Sequence, residues 1–181
     1  MRNIFTVLLL LSISTTACFA QQPQKPTASE IYHDLQQLNF LGSAMYIAAH
    51  PDDENTRLIS YLVNDVHART AYLSLTRGDG GQNLVGPEIR ELLGVIRTQE
   101  LLAARLTDGG LQLFTRANDF GYSKTPEETL AIWNKDEVLS DVVRAIRKFK
   151  PDVIIVDYAD LLRPTSGLRE KRHELETIYE E

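Results

Sequence analysis

The sequence predicts a three-layer α/β domain built on a mostly parallel sheet, and three observations carry that prediction. Short apolar runs of strand length alternate along the chain with longer segments whose apolar residues recur every three or four positions. Turn-forming stretches such as Gly78-Asp79-Gly80-Gly81 and Gly109-Gly110 separate them. The run Asp152-Val-Ile-Ile-Val156 is continuously apolar, as in a parallel strand buried on both faces. Alternation of this kind implies right-handed β-α-β crossovers with helices on both faces of the sheet.

Each element follows in order. Residues 1–20 read as an export signal: Arg2 supplies the positive end, Ile4 to Ile13 an apolar run too short to span a bilayer, and Cys18-Phe19-Ala20 a small-residue cleavage site. Cys18 could instead carry a lipid, although Thr15-Thr16-Ala17 before it lacks the usual branched apolar residue. Either way the chain is expected in the periplasm or outside the cell, with no transmembrane segment after processing. Residues 21–26 form a polar linker. Thr27-Ala-Ser-Glu30 has capping-box spacing and opens a helix through Ile31, Leu35 and Leu38. Ser43 to Ala49 reads as a strand, Glu54 to Val63 as a helix and Thr70 to Thr76 as a second strand. Pro87 suits the first turn of a long helix that stops at Gly109-Gly110. Leu111 to Thr115 is a third strand, Glu137 to Lys148 a helix with Val138, Val142, Ile146 and Phe149 on or beside one face, and Val153 to Val156 the fourth strand.

Composition excludes several functions. With 19 Lys and Arg against 25 Asp and Glu the net charge is −6, and no basic stripe is left for phosphates, so nucleic acid is not an expected partner. One cysteine rules out an internal disulfide framework or a Cys-rich zinc module. Neither glycine-rich phosphate fingerprint follows the first strand, which argues against a nucleotide-binding module.

Ligands of open α/β sheets bind beyond the carboxyl ends of the strands. His50-Pro51-Asp52-Asp53-Glu54 stands there, directly after the first strand. Imidazole and carboxylate suit zinc, and Pro51 favours a tight turn that would bring His50 and Asp53 to one ion. Asp52 then remains beside the bound water to take its proton. The same residues could also serve simply as a helix N-cap.

Ala48-Ala49-His50-Pro51-Asp52-Asp53-Glu54 resembles the signature of the PIG-L/LmbE family of zinc-dependent de-N-acetylases. Leu75-Thr76-Arg77-Gly78-Asp79-Gly80-Gly81 and Arg97-Thr98-Gln99-Glu100 resemble its second strand and following helix, so the likeness runs from about Ser43 to Asp157. It implies a Rossmann-like fold for a domain of residues 27–157. It also implies hydrolysis of the N-acetyl group of an N-acetylglucosamine-type sugar or conjugate, with Zn2+ as cofactor. By resemblance His50 and Asp53 are zinc ligands, Asp52 is the general base and Arg77 contacts the substrate. Arg77 could alternatively be a surface residue paired with Asp79.

The pattern breaks at residues 158–181. The family's third zinc ligand is a histidine soon after the fourth strand, whereas Asp157 to Gly167 contains none and His173 lies inside Lys171-Arg172-His173-Glu174. His33 and His67 fall on the first helix and in a loop, away from the expected edge. A charged tail following a buried-strand pattern is the expectation for a truncated or frame-shifted family member. The alternative function is then a catalytically inactive remnant that binds sugar or a partner. The sequence identifies neither the sugar, the third ligand nor the oligomeric state.

Overall fold

The computed structural model describes residues 25–157. The residues read as an export signal, with Cys18, most of the linker, the charged tail and His173, lie outside the described residues. The chain divides into two compact units, Met1–Leu35 and Gln36–Glu181.

Helix α1, Ala28–Gln37, opens on the expected capping box. The Thr27 hydroxyl accepts the Glu30 N–H at 3.3 Å, while the Glu30 carboxylate accepts the Thr27 N–H at 2.6 Å. The Thr27 N–H, and after it the Thr27 hydroxyl at 2.8 Å, hold the Glu30 carboxyl below its ordinary pKa.

The second unit alternates strand and helix: β1 (Ser43–Ala48), α2 (Thr56–Asn64), β2 (Arg69–Ser74), α3 (Glu91–Asp108), β3 (Leu111–Phe114), α4 (Pro126–Trp133), α5 (Lys135–Phe149) and β4 (Val153–Val156). The four strands are all parallel, in the order β3-β2-β1-β4. β1 and β2 pair in register from Ser43 with Arg69 to Ala48 with Ser74. All six residues of β1 are buried, because neighbours cover both of its edges and helices both of its faces. Its side chains alternate. Tyr46 and Ala48 join Ile59, Val63, Tyr72 and Leu101 on the face of α2 and α3. Met45 and Ile47 join Ala71, Leu73 and Phe149 on the face of α5. The expected three layers are therefore present.

Four expectations are corrected. The helix after β1 begins at Thr56, two residues late, because the Asn55 side chain caps it by accepting the Leu58 N–H at 3.0 Å. The long helix begins at Glu91 rather than Pro87. Asn83 organises the residues before it into a loop, its Oδ1 accepting the N–H groups of Val85 and Gly86 at 3.0 Å each. Helix α4 was not expected, although Thr125-Pro126-Glu127-Glu128 is itself a capping box with Pro in the first turn. Finally, β4 is not buried on both faces: Val153, Ile154 and Val156 are 56%, 42% and 40% exposed. Its described pairing is with β1 alone. Among the described residues no helix is long and apolar enough to cross a membrane.

Candidate active site

The carboxyl end of β1 continues past Ala48 under close control from β2. The Leu75 and Thr76 N–H groups donate to the carbonyls of Ala48 and Ala49 at 2.9 Å, and the Thr76 hydroxyl donates to Ala49 at 3.0 Å. The buried Tyr72 hydroxyl donates to the His50 carbonyl, so the backbone is held up to the first candidate ligand. Pro51, itself buried, turns the chain against Gly78. A Cβ at position 78 would stand 3.0 Å from the Pro51 ring, and φ there is +72°, so both space and backbone require glycine.

The turn brings together the residues that the spacing singles out. The Asp53 carboxylate accepts the His50 N–H at 2.9 Å, and its Oδ2 lies 3.2 Å from His50 Nδ1. Bonds of about 2.0–2.2 Å around a tetrahedral zinc put neighbouring ligand atoms roughly 3.3–3.6 Å apart. At 3.2 Å the His50–Asp53 pair lies within about 0.1 Å of that range, so a slight opening would suit it to two positions of such a centre. Among the described residues no group of three or more metal-ligating side chains converges, so the described donor set stops at two.

Asp52 points elsewhere. Its side chain is 73% exposed, and its carboxylate lies 3.4 Å from Arg97 Nη2. Arg97 also reaches Glu100 at 3.5 Å. His50, Asp52 and Arg97 line one cleft of about 250 Å³, closed on other sides by Leu93, Asp119 and Gly121. Gly80 lets the loop after β3 approach this cleft, since a Cβ there would meet the Gly121 nitrogen at 2.4 Å.

Arg77 ends beside a different cavity, of about 400 Å³, shared with Thr98, Thr115 and Arg116. Its Nη1 donates to the Thr98 hydroxyl at 3.0 Å, and its guanidinium lies 4.1 Å from the Phe114 ring centre. The arginine facing Asp52 is Arg97. Its Arg-x-x-Glu spacing was visible in the sequence, but nothing in spacing says which helix face meets the β1 turn.

A buried polar network below the turn was also missed. Glu54, Arg105 and Asp108 have side chains only 5%, 4% and 8% exposed. Burial pushes the Glu54 carboxyl above its ordinary pKa, partly offset by its own backbone N–H and by Arg105. Burial likewise raises the Tyr72 hydroxyl, and that of Tyr46, to which Asp157 at the end of β4 adds its charge. The available signal was a charged pair, Arg105 and Asp108, at helical spacing from the buried Leu101.

Comparison with known proteins bears on this geometry. The family model described as PIG-L, GlcNAc-PI de-N-acetylase, matches residues 45–162. No curated protein matches the chain. Among solved structures, N,N'-diacetylchitobiose deacetylase from Pyrococcus horikoshii, in complex with its inhibitor MPG, is 18% identical with a TM-score of 0.50. The match covers 88% of this chain and 60% of that one. A deacetylase–teicoplanin complex from the teicoplanin biosynthesis pathway is 16% identical over 65% of this chain and 58% of that one, with a TM-score of 0.46. A deacetylase triple mutant involved in the same pathway is 16% identical over 63% and 50%, with a TM-score of 0.44. The chain thus spans about half to three fifths of the length of these structures, and the likeness to the first speaks to the fold.

Proposed function

The chain belongs to the PIG-L family of GlcNAc-PI de-N-acetylases, and on that premise we propose that it is a zinc-dependent hydrolase removing the N-acetyl group from an N-acetylglucosamine-type sugar or conjugate. The observation that carries the proposal is the division of the turn: His50 and Asp53 face each other at ligand spacing while Asp52 opens into the cleft.

His50 and Asp53 would hold the ion. A bound divalent cation lowers the pKa of water towards ~7 and polarises a carbonyl oxygen. Asp52 accepts the proton of the attacking water, for which an exposed carboxylate on the cleft wall is suited. Water gives one proton to Asp52 as it adds to the acetamide carbonyl; the C–N bond breaks, the amine takes that proton back, and acetic acid leaves with the second and ionises in solvent. Arg97 orients the Asp52 carboxylate from one side and offers its remaining N–H groups to sugar hydroxyls. Arg77 is a second contact, available to a substrate that extends into the cavity beside it. The apolar leader and its small-residue cleavage site favour action outside the cytoplasm.

A second reading, a metal-free sugar-binding or interaction domain, is favoured by the two-member donor set among the described residues. Metal content of the purified full chain, followed by acetate release from N-acetylglucosamine substrates with added zinc, separates the two. One bound ion and zinc-dependent release support the hydrolase. Sugar binding without metal or release supports the other.

A further inference from the structure

Beneath the His50–Asp53 turn a single guanidinium meets Glu54 after one end and lies against Tyr72, which holds the other. Arg105 is held from below: its Nε donates to Asp108 at 3.1 and 3.0 Å, its Nη2 donates to Asp108 Oδ2 at 2.6 Å, and its Nη1 donates to Gln112 at 3.2 Å. Asp108 is itself fixed by the Gly110 N–H at 2.9 Å. From that anchorage Nη2 extends to Glu54 Oε1 at 3.4 Å, the residue directly after Asp53. The same guanidinium lies 5.5 Å from the centre of the Tyr72 ring, whose hydroxyl holds the His50 carbonyl. Among the described residues Glu54 Oε2 is buried without a hydrogen-bond partner, and Arg105 is the ion-pair partner that faces this carboxylate. Desolvation cancels much of the Coulomb gain of such a buried cluster, and apolar replacements of similar volume are often as stable. Stability alone therefore accounts poorly for four buried polar side chains at this position.

We propose that Arg105 is a positioning residue for the metal-binding turn, setting His50 and Asp53 at ligand spacing through Glu54 on one side and Tyr72 on the other. The inference rests on the metal-dependent reading above, but its geometry can be read without metal. A carboxylate only accepts, so the 3.2 Å contact between His50 Nδ1 and Asp53 Oδ2 calls for the ring proton on Nδ1. Groups that orient a metal's ligands from behind typically contribute 10–100-fold to metal affinity.

The test uses the full chain with 15N-labelled imidazoles, the His50 signals being assigned by their loss in His50→Ala. The parent is compared with Tyr72→Phe, Glu54→Gln and Arg105→Gln, recording the His50 ring resonances, zinc affinity and thermal midpoint. Tyr72→Phe keeps the core volume and serves as the deciding variant should Arg105→Gln fail to fold. The expected result is a folded Tyr72→Phe and Glu54→Gln in which His50 shifts from the Nδ1–H tautomer to a mixture, with zinc affinity weakened about tenfold or more. A lowered midpoint with parental His50 resonances and parental affinity assigns the cluster to stability alone and overturns the proposal. If the parent takes up no zinc, the metal-dependent reading fails, and the tautomer of His50 in the variants still decides the positioning role.

Discussion

The two ends of β1 use polar residues in opposite ways. At the amino end, Asp152 turns its carboxylate onto Ser43, accepting the N–H at 2.8 Å and the hydroxyl at 2.7 Å, and its own N–H returns to the Ser43 carbonyl at 3.0 Å. Those bonds clip β4 to β1 and hold the Asp152 carboxyl below its ordinary pKa. At the carboxyl end the backbone is tied just as firmly, yet Asp52 stays 73% exposed and meets one arginine at 3.4 Å. The Asp152 carboxylate at the first end is consumed by the fold; at the second Asp52 is left over. On the proposed reading, that difference is what leaves Asp52 available for chemistry while Asp152 serves the fold.

The largest test of that contrast is Asp52→Asn. Losing the base should cost on the order of 10²–10⁴ in kcat while zinc content and thermal midpoint stay parental. Equal activity would erase the distinction between the two ends. Next comes the pair of arginines. Arg97→Gln, which takes the guanidinium from the cleft wall, should reduce kcat/KM by roughly 10- to 100-fold, the loss of a hydrogen bond to a charged group. Arg77→Gln gives up a ring contact and a bond to Thr98 and should lower stability by only about 0.5–1 kcal/mol. A larger activity loss at Arg77 than at Arg97 would move the substrate into the neighbouring cavity.

Gly78→Ala forces a side chain into a backbone with φ of +72° against Pro51, costing about 1–2 kcal/mol and moving the turn. Stability and activity should fall together there, because Pro51 precedes Asp52. The smallest effect belongs to the amino end. Asp152 has a lowered folded pKa, so its contribution is complete above its ordinary value of 3.8 and disappears as the pH falls below that value and through the folded pKa. Acid unfolding curves of Asp152→Asn should be flatter than those of the parent in this window, with activity near neutrality unchanged.

Much of this organisation was legible in the sequence. The four strands were, because runs such as Ser43–Ala48 and Val153–Val156 have strand length and apolar content. The capping box at Thr27 was, because its bonds are local. What escaped depends on distant partners. The exposure of β4 reflects a pairing with β1 alone among the described residues, which no local pattern records. Helix α4 had a local signal in Thr125 and Pro126, yet its apolar residues make no clear stripe. In the site, His50, Asp52 and Asp53 stood out by adjacency. Arg97 and Arg105, eight residues apart on one helix, acquire their meanings from the β1 turn and from Glu54, neither of which helical spacing reveals.

The most direct measurement is anomalous scattering at the zinc edge from crystals of the full chain grown with zinc. A peak within about 2.2 Å of both the His50 ring and the Asp53 carboxylate, with Asp52 outside bonding distance, is the predicted result. A well-ordered turn with no peak there, His50 still bonded to Asp53 at zinc saturation, would contradict it.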